Sequence, residues 1–379
     1  MEIYVVQQGD TVESIAAEFG VAIESLAADN QILYPYQLAR GQALLIPNGL
    51  GNRNAVLRSS GYAYPFIDVD VLNNTLPFLS SMNVFSYGFT EEGELVPPAY
   101  DDSWMIVPAL EQGVVSVLTL TPLTSAGNFD NNLISAIVRN NDAQRALFEN
   151  LADTMLAKGY IGVNLDFEYV KAEDRDYYTE FVRNCAERLH EQGYQVSVAL
   201  SPKTSDNQVG ELYEGIDYDA IGEIADTVIL MTYEWGYTYG PPMAVAPLDK
   251  VREVMEYATS RISLAKIMMG IPNYGYDWTL PFVEGESQAE SIGNVEAIQR
   301  AIENNAEIQF DAVAQSPYFY YVRNGIQHVV WFEDVRSLQA KFDLIKRFGV
   351  RGATYWQLMQ WFRANWLLLE DNFFVLPGL

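Results

Sequence analysis

Cysteine is almost missing from this chain: Cys185 is the only one in 379 residues. A lone thiol excludes an intramolecular disulfide and a thiolate metal site. Its setting, FVRNCAERLH, has helical spacing and reads as a buried structural thiol. Histidine is as scarce, with only His190 and His328. Two histidines so far apart give no support to a catalytic dyad or a zinc site; His190 reads as a helix-end or surface residue and His328 as part of an insertion. Positive charge is also short, with 23 Lys and Arg against 50 Asp and Glu and a formal net charge of -27. Phosphate recognition rests on Lys and Arg, so nucleic acid is excluded as a partner, and an anionic membrane surface is an equally poor one. The charge itself implies solubility and nothing more specific. No run of 18 apolar residues occurs, so no membrane span is expected. MEIYVVQQGD has no basic segment followed by an apolar one, so no secretory signal is visible. GVNLDFE is not a phosphate loop, and no Gly-x-Gly-x-x-Gly follows the first strand. No metal or cofactor is expected.

Apolar residues, by contrast, make up 49% of the chain and aromatics 13%, including 24 Tyr and 7 Trp. Such a chain can build a large core, and sugar rings stack on the same side chains. Its length suits one large barrel plus an accessory module.

Residues 1–48 form a self-contained unit with the order strand, helix, helix, strand. IYVVQQGD is a short strand, and Asp10 and Thr11 open a helix with Glu13 three residues after Asp10, a capping-box-like start. In TVESIAAEFG, Val12, Ile15, Ala16 and Phe19 share a face and Gly20 ends the helix. AIESLAADN is a second helix and ALLIP the second strand. NGLGNRN, rich in Gly and Asn, reads as a linker, placing the connector at 49–56 and a second domain at 57–379. YVVQQGDTVESIAAEFGV and LARGQALLIP resemble a LysM module, a carbohydrate-binding domain. The resemblance implies a groove for chains containing N-acetylglucosamine between Gly9, Asp10 and Thr11 and the segment around Asn30, Gln31 and Ile32.

From about residue 55, eight apolar runs alternate with segments of helical period: GYAYPFI, NVFSYGF, VVSVLTL, GYIGVNLDFE, QVSVALS, TVILMTY, KIMMGIP and GATYWQL. This pattern predicts an α/β fold, a (β/α)8 TIM barrel. The stretch 275–330 is longer than one helix requires. It holds EAIQRAIENN and a hairpin turn at Arg323-Asn324-Gly325, and reads as a small α+β insertion after the seventh strand.

The fourth run carries the chemistry. Asn164, Asp166 and Glu168 occupy every second position of a stretch that is apolar on its other face too. A strand puts them on one face, and the barrel puts Glu168 at the mouth with Asp166 one layer below, about 6 to 7 Å along the strand. Two carboxylates so placed disfavour double ionisation, so one keeps its proton near neutral pH, as glycosidic cleavage needs for its general acid.

This stretch resembles the Asp-x-x-Asp-x-Asp-x-Glu signature of glycoside hydrolase family 18, the chitinase-like enzymes. Asp166 and Glu168 fill its last two positions, while Asn164 and Ile161 replace the two earlier Asp residues. Asn164 could still donate to Asp166, and its presence implies an altered pH profile with activity kept. LMTYEW resembles the family's Met-x-Tyr-Asp, with Glu234 for Asp, and ATYWQL places Trp356 where the family has a pocket-floor tryptophan. Within the family, MTYEWGYTYGPPMAVAP and WFEDVRS beside a LysM module look most like spore cortex-lytic N-acetylglucosaminidases of endospore-forming bacteria.

The resemblance implies a substrate-assisted, retaining mechanism. Glu168 is the acid/base, Asp166 stabilises the acetamido group that attacks, Tyr233 bonds its carbonyl and Trp356 stacks beneath the sugar. Glu234, Trp235 and Tyr237 would form a wall of the cleft; Asn273, Tyr274 and Tyr276, ending the seventh run, either line it or pack below it. The implied partner is the N-acetylglucosamine-containing glycan of peptidoglycan, acted on by a monomer in the spore coat, cortex or cell wall after synthesis in the mother cell. The rival readings are a chitinase and a wall protein that binds glycan without cleaving it.

Overall fold

The architecture follows from a computed structural model that describes residues 1–49, 51 and 53–378. Strands Glu2–Val5 and Ala43–Ile46 pair antiparallel around helices Val12–Phe19 and Ile23–Asp29. Val12, Ile15, Leu26, Leu44 and Ile46 fill the core of this unit. The first helix does begin with a capping box, but one residue later than expected. Thr11 caps Ser14 N–H at 3.1 Å and Ser14 Oγ accepts from Thr11 N–H at 3.0 Å, while Asp10 instead accepts from Tyr4 Oη and Gln7 N–H. Gly20 closes the helix at φ 66°, a conformation that glycine adopts without a Cβ penalty.

Leu50 and Asn52, in the expected connector 49–56, lie outside the described residues. The first barrel strand starts at Ala55. Among the described residues eight parallel strands close on themselves: Ala55–Ala63, Ser81–Phe89, Val115–Leu120, Gly162–Leu165, Gln195–Leu200, Thr227–Leu230, Ile267–Pro272 and Gly352–Trp356. Seven fall where the apolar runs predict. The first lies about six residues before the run GYAYPFI. Its polar stretch Arg58-Ser59-Ser60 pairs with Gly352–Thr354, and Ser60 Oγ bonds Thr354 Oγ1 between these neighbouring strands. Pro65, which cannot donate to a ladder, lies in the turn beyond its end.

The insertion after the seventh strand is a five-stranded antiparallel sheet with helix Asn294–Glu303. Its hairpin turns at Asn324 (φ 54°) and Gly325 (φ 77°), the paired positive angles of a two-residue turn. Asp277 is buried there and accepts from Arg300 Nη1, Tyr321 Oη and His328, whose Nδ1 is 2.9 Å away. His190, as expected, sits at a helix end, 2.8 Å from Asp226, and Cys185 is buried.

The amino-terminal unit is packed against the barrel and the insertion. Ala39 joins the insertion's core. A Cβ on Gly41 would lie 1.9 Å from the carbonyl oxygen of Ile308. Met1 N and Gly51 N–H both bond Asp371 in the last helix.

Candidate active site

The fourth strand alternates as its sequence dictates. Val163, Leu165 and Phe167 point outward, where Phe167 stacks on Phe181 and Tyr178 of helix Arg175–His190. Asn164, Asp166 and Glu168 alternate with them on the inner side. The ladder ends sooner than the run GYIGVNLDFE predicts: Asp166 N–H to Leu120 O, 2.9 Å, is its last rung. Asp166 and Glu168 therefore leave the strand as extended chain at the C-terminal mouth.

Glu168 lies between two cavities. The larger, about 310 Å³, is lined by Tyr64, Phe85, Phe129, Asp166 and Trp356. The smaller, about 140 Å³, is lined by Tyr213, Tyr233, Glu234 and Trp235. The Trp356 ring meets Tyr62, Tyr64 and Phe85 edge-on at 5.3, 6.3 and 5.0 Å, so its orientation is fixed from three sides. Tyr237 is exposed beyond, edge-to-face with Tyr239 at 6.4 Å.

Burial raises the Asp166 carboxyl well above its ordinary value, and Glu168 raises it further. Burial among the cleft walls also raises Glu168, with the Glu234 charge adding to it. Glu168 is open to solvent through the mouth while protein surrounds it on the other sides. Its desolvation is therefore partial and grows as a substrate fills the cleft. Glu234 is raised by burial and held down by the hydroxyls of Tyr274 and Tyr276, both of which donate to its carboxylate. No cation figures among the groups that perturb these three acids.

Asn164 does not bond Asp166. Its Nδ2 donates to Tyr62 Oη at 3.0 Å and its Oδ1 accepts from Ser197 Oγ at 3.0 Å, leaving Asp166 Oδ1 buried without a partner. Tyr233 is buried and makes no side-chain hydrogen bond among the described residues. Asn273 is spent on the backbone: its Nδ2 donates to Gln357 O at 3.1 Å and Gln360 O at 2.8 Å, bracing the loop that leaves Trp356. Tyr274 is buried and reaches the cleft only through Glu234.

In the amino-terminal unit Asp10 and Thr11 serve the turn and the cap, and Ile32 is buried in the unit's core. Asn30 holds strand Ala43–Ile46 through bonds to Leu45 N–H and O at 2.7 and 2.8 Å. Sequence reasoning passed over Tyr62, Tyr64 and Phe85. The first two were visible as alternate aromatics near the start of the first run, but the misplaced strand hid their inward register.

A closed parallel barrel with an inward acid pair at its C-terminal mouth and an aromatic floor is the site of a glycosidase. The model of the family described as Glycosyl hydrolases family 18 matches residues 121–360, and that of the LysM domain matches residues 4–47. The chain belongs to glycoside hydrolase family 18 and carries a LysM domain. It is 38% identical to the cortical fragment-lytic enzyme of Bacillus subtilis (strain 168), over 98% of each chain. The crystal structure of the Bacillus cereus spore cortex-lytic enzyme SleL superposes with a TM-score of 0.82 at 38% identity, covering 99% of this chain and 87% of that one. A chitinase from Chromobacterium violaceum shares the fold, with a TM-score of 0.76 at 23% identity, over 83% of this chain and 99% of that one.

Proposed function

We propose that this glycosidase cleaves β-1,4 bonds after N-acetylglucosamine in spore cortex peptidoglycan, with retention of configuration and with the substrate's acetamido group as nucleophile. The observation that carries this reading is a pair of unspent groups beside Glu168, one lining each of the two cavities that meet there. Asp166 Oδ1 is a buried acceptor without a donor, and Tyr233 offers a hydroxyl with no acceptor. An acetamido group presents one N–H and one C=O, and so satisfies both. A protonated amine in its place has no acceptor and would leave the Tyr233 hydroxyl unpaired, which costs about 1–3 kcal/mol.

The steps then balance as follows. Glu168 transfers its proton to the glycosidic oxygen while the acetamido oxygen attacks the anomeric carbon. The C–O bond to the leaving sugar breaks and an oxazolinium ion forms. Asp166, ionised, accepts from the acetamido N–H and offsets the positive charge. Glu168, now a carboxylate, takes a proton from water as the water oxygen opens the ring on the same face, and the acid is restored. Trp356 supports the sugar face through both steps. The names of the two cortex-lytic relatives, at 38% identity, favour cortex fragments over chitin as substrate. The working unit is a single chain, and its place of action is the cortex or cell wall.

Mass spectrometry of digested cortex fragments tests this directly. New reducing ends on N-acetylglucosamine are expected, and reducing ends on muramic acid would refute the reading. Glu168→Gln should lower turnover by about 10² to 10⁴-fold. Faster turnover of chitin oligomers than of cortex fragments would transfer the assignment to the chitinase reading.

A further inference from the structure

The LysM domain is fastened to the catalytic rim. Gln31 Nε2 donates to Trp361 O at 3.3 Å and Gln31 Oε1 accepts from Arg363 N–H at 2.7 Å. Arg363 also pairs with Asp29 at 2.9 Å. Trp361 belongs to the loop that follows Trp356, the one braced by Asn273, and Arg363 opens the last helix, Arg363–Asn372. On the insertion side, Ile308 N–H donates to Arg40 O at 2.9 Å and Arg336 Nη2 to Gly41 O at 3.2 Å.

A cavity of about 500 Å³ lies between the two units. One wall is the LysM segment with Leu33, Tyr34 and Gln37; the other is helix Asn294–Glu303 of the insertion, with Ile298, Gln299 and Ile302. Leu33 and Tyr34 are 80% and 86% exposed. Gln37 makes no hydrogen bond among the described residues, and Gln299 uses only its nitrogen, on Glu303 at 2.9 Å. The one acid of the lining, Glu296, is paired with Arg300.

We infer that this cleft binds a neutral N-acetylated glycan strand, so that the LysM domain and the insertion of the catalytic unit form one composite site. The inference rests on the peptidoglycan reading above. An aromatic and three aliphatic side chains suit sugar C–H faces, and uncharged amides suit hydroxyl and acetamido groups. With a net charge of -27 on the protein, an acidic stem peptide is the poorer occupant. Asn30, Gln31 and Ile32 of the expected groove line this cleft, but Gly9, Asp10 and Thr11 do not, and the insertion's helix supplies the opposite wall. Both walls are rooted at the barrel's C-terminal rim, so a strand held here is held at a fixed place relative to Glu168. Binding at cleft and barrel together then gains from effective concentration without any flexible search.

Retention of the Glu168→Gln protein on peptide-free cortex glycan strands tests the composite cleft without cleavage. Gln299→Trp fills the cleft from the insertion side, and Tyr34→Ala removes its aromatic wall; both residues are exposed. Both substitutions should weaken retention at least about tenfold, with thermal transitions matching the parent as proof of folding. Undiminished retention with Gln299→Trp overturns the inference, whether or not Tyr34→Ala is impaired, because the LysM domain would then bind alone. An effect seen only on strands that keep their stem peptides also overturns it. Since no bond is cut in this assay, a wrong assignment of the cleaved linkage leaves the result intact, and the two readings fail separately.

Discussion

Asn164 donates to Tyr62 Oη at 3.0 Å and leaves Asp166, two residues further on, with an oxygen that bonds nothing. A carboxylate at position 164 would repel the Asp166 charge and keep its proton on to higher pH. Asn164→Asp should therefore move the acid limb of the pH profile of kcat/KM upward by about one unit. An unmoved limb would mean that the two side chains do not sense each other.

Glu234 acts on the opposite limb. Its charge is the carboxylate contribution that raises Glu168, and Glu168 must be protonated to act as acid. Glu234→Gln removes that charge, so the Glu168 pKa falls and the alkaline limb moves to lower pH. Tyr274→Phe takes away a donor that favours ionised Glu234, so that Glu234 stays neutral to higher pH and part of the same shift appears. Titration of soluble-substrate turnover in the three proteins reads both effects; an alkaline limb that stays in place in Glu234→Gln would remove Glu234 from the account.

The Asp166 carboxyl is costly to the fold. Its pKa is raised in the folded state, so its favourable contribution is present below the ordinary carboxylate range and is lost as pH rises through the raised value. Asp166→Asn should unfold at higher temperature than the parent near neutral pH, by roughly 2 °C for each kcal/mol recovered. The difference should close toward about pH 4. Calorimetry across this range checks the sign, and a variant less stable than the parent at pH 7 would contradict it.

Asp277 holds the insertion together from inside, with Arg300, Tyr321 and His328 all turned to it. Asp277→Ala leaves Arg300 its bonds to Glu290 and Glu296 but strands the Tyr321 hydroxyl and the His328 ring nitrogen, and should cost about 1–3 kcal/mol. Hydrogen exchange should quicken first in strands Gly275–Leu280 and Ser316–Arg323, while uniform exchange across the chain would show that the network is not local.

Much of this was open to reading in the chain, because period-two and period-3.6 patterns are local. The alternation Asn164, Asp166, Glu168 announces an inward acid stripe, and the eight apolar runs announce the barrel. The first strand escaped because Arg58, Ser59 and Ser60 look like a loop until Thr354, 294 residues away, supplies the hydroxyl that satisfies Ser60. The partner of Asn164 escaped for the same reason, since Tyr62 lies 102 residues earlier. Glu234 was legible as a residue but not as the neighbour that tunes Glu168; that depends on how two strand ends approach across the mouth. The seat of the LysM domain was not legible at all. A Gly- and Asn-rich connector suggests a swinging tether, whereas the bonds of Gln31 to Trp361 and Arg363 span more than 300 residues and leave no local trace.

At Gly41 the chain runs so close to Ile308 that even a methyl group has no room. With no slack at this seam, the stretch of polymer between the gripped sugar and the severed bond has a set length. Released pieces would then repeat in size like cuts made against a stop, where a loosely leashed binder would leave a broad spread of lengths.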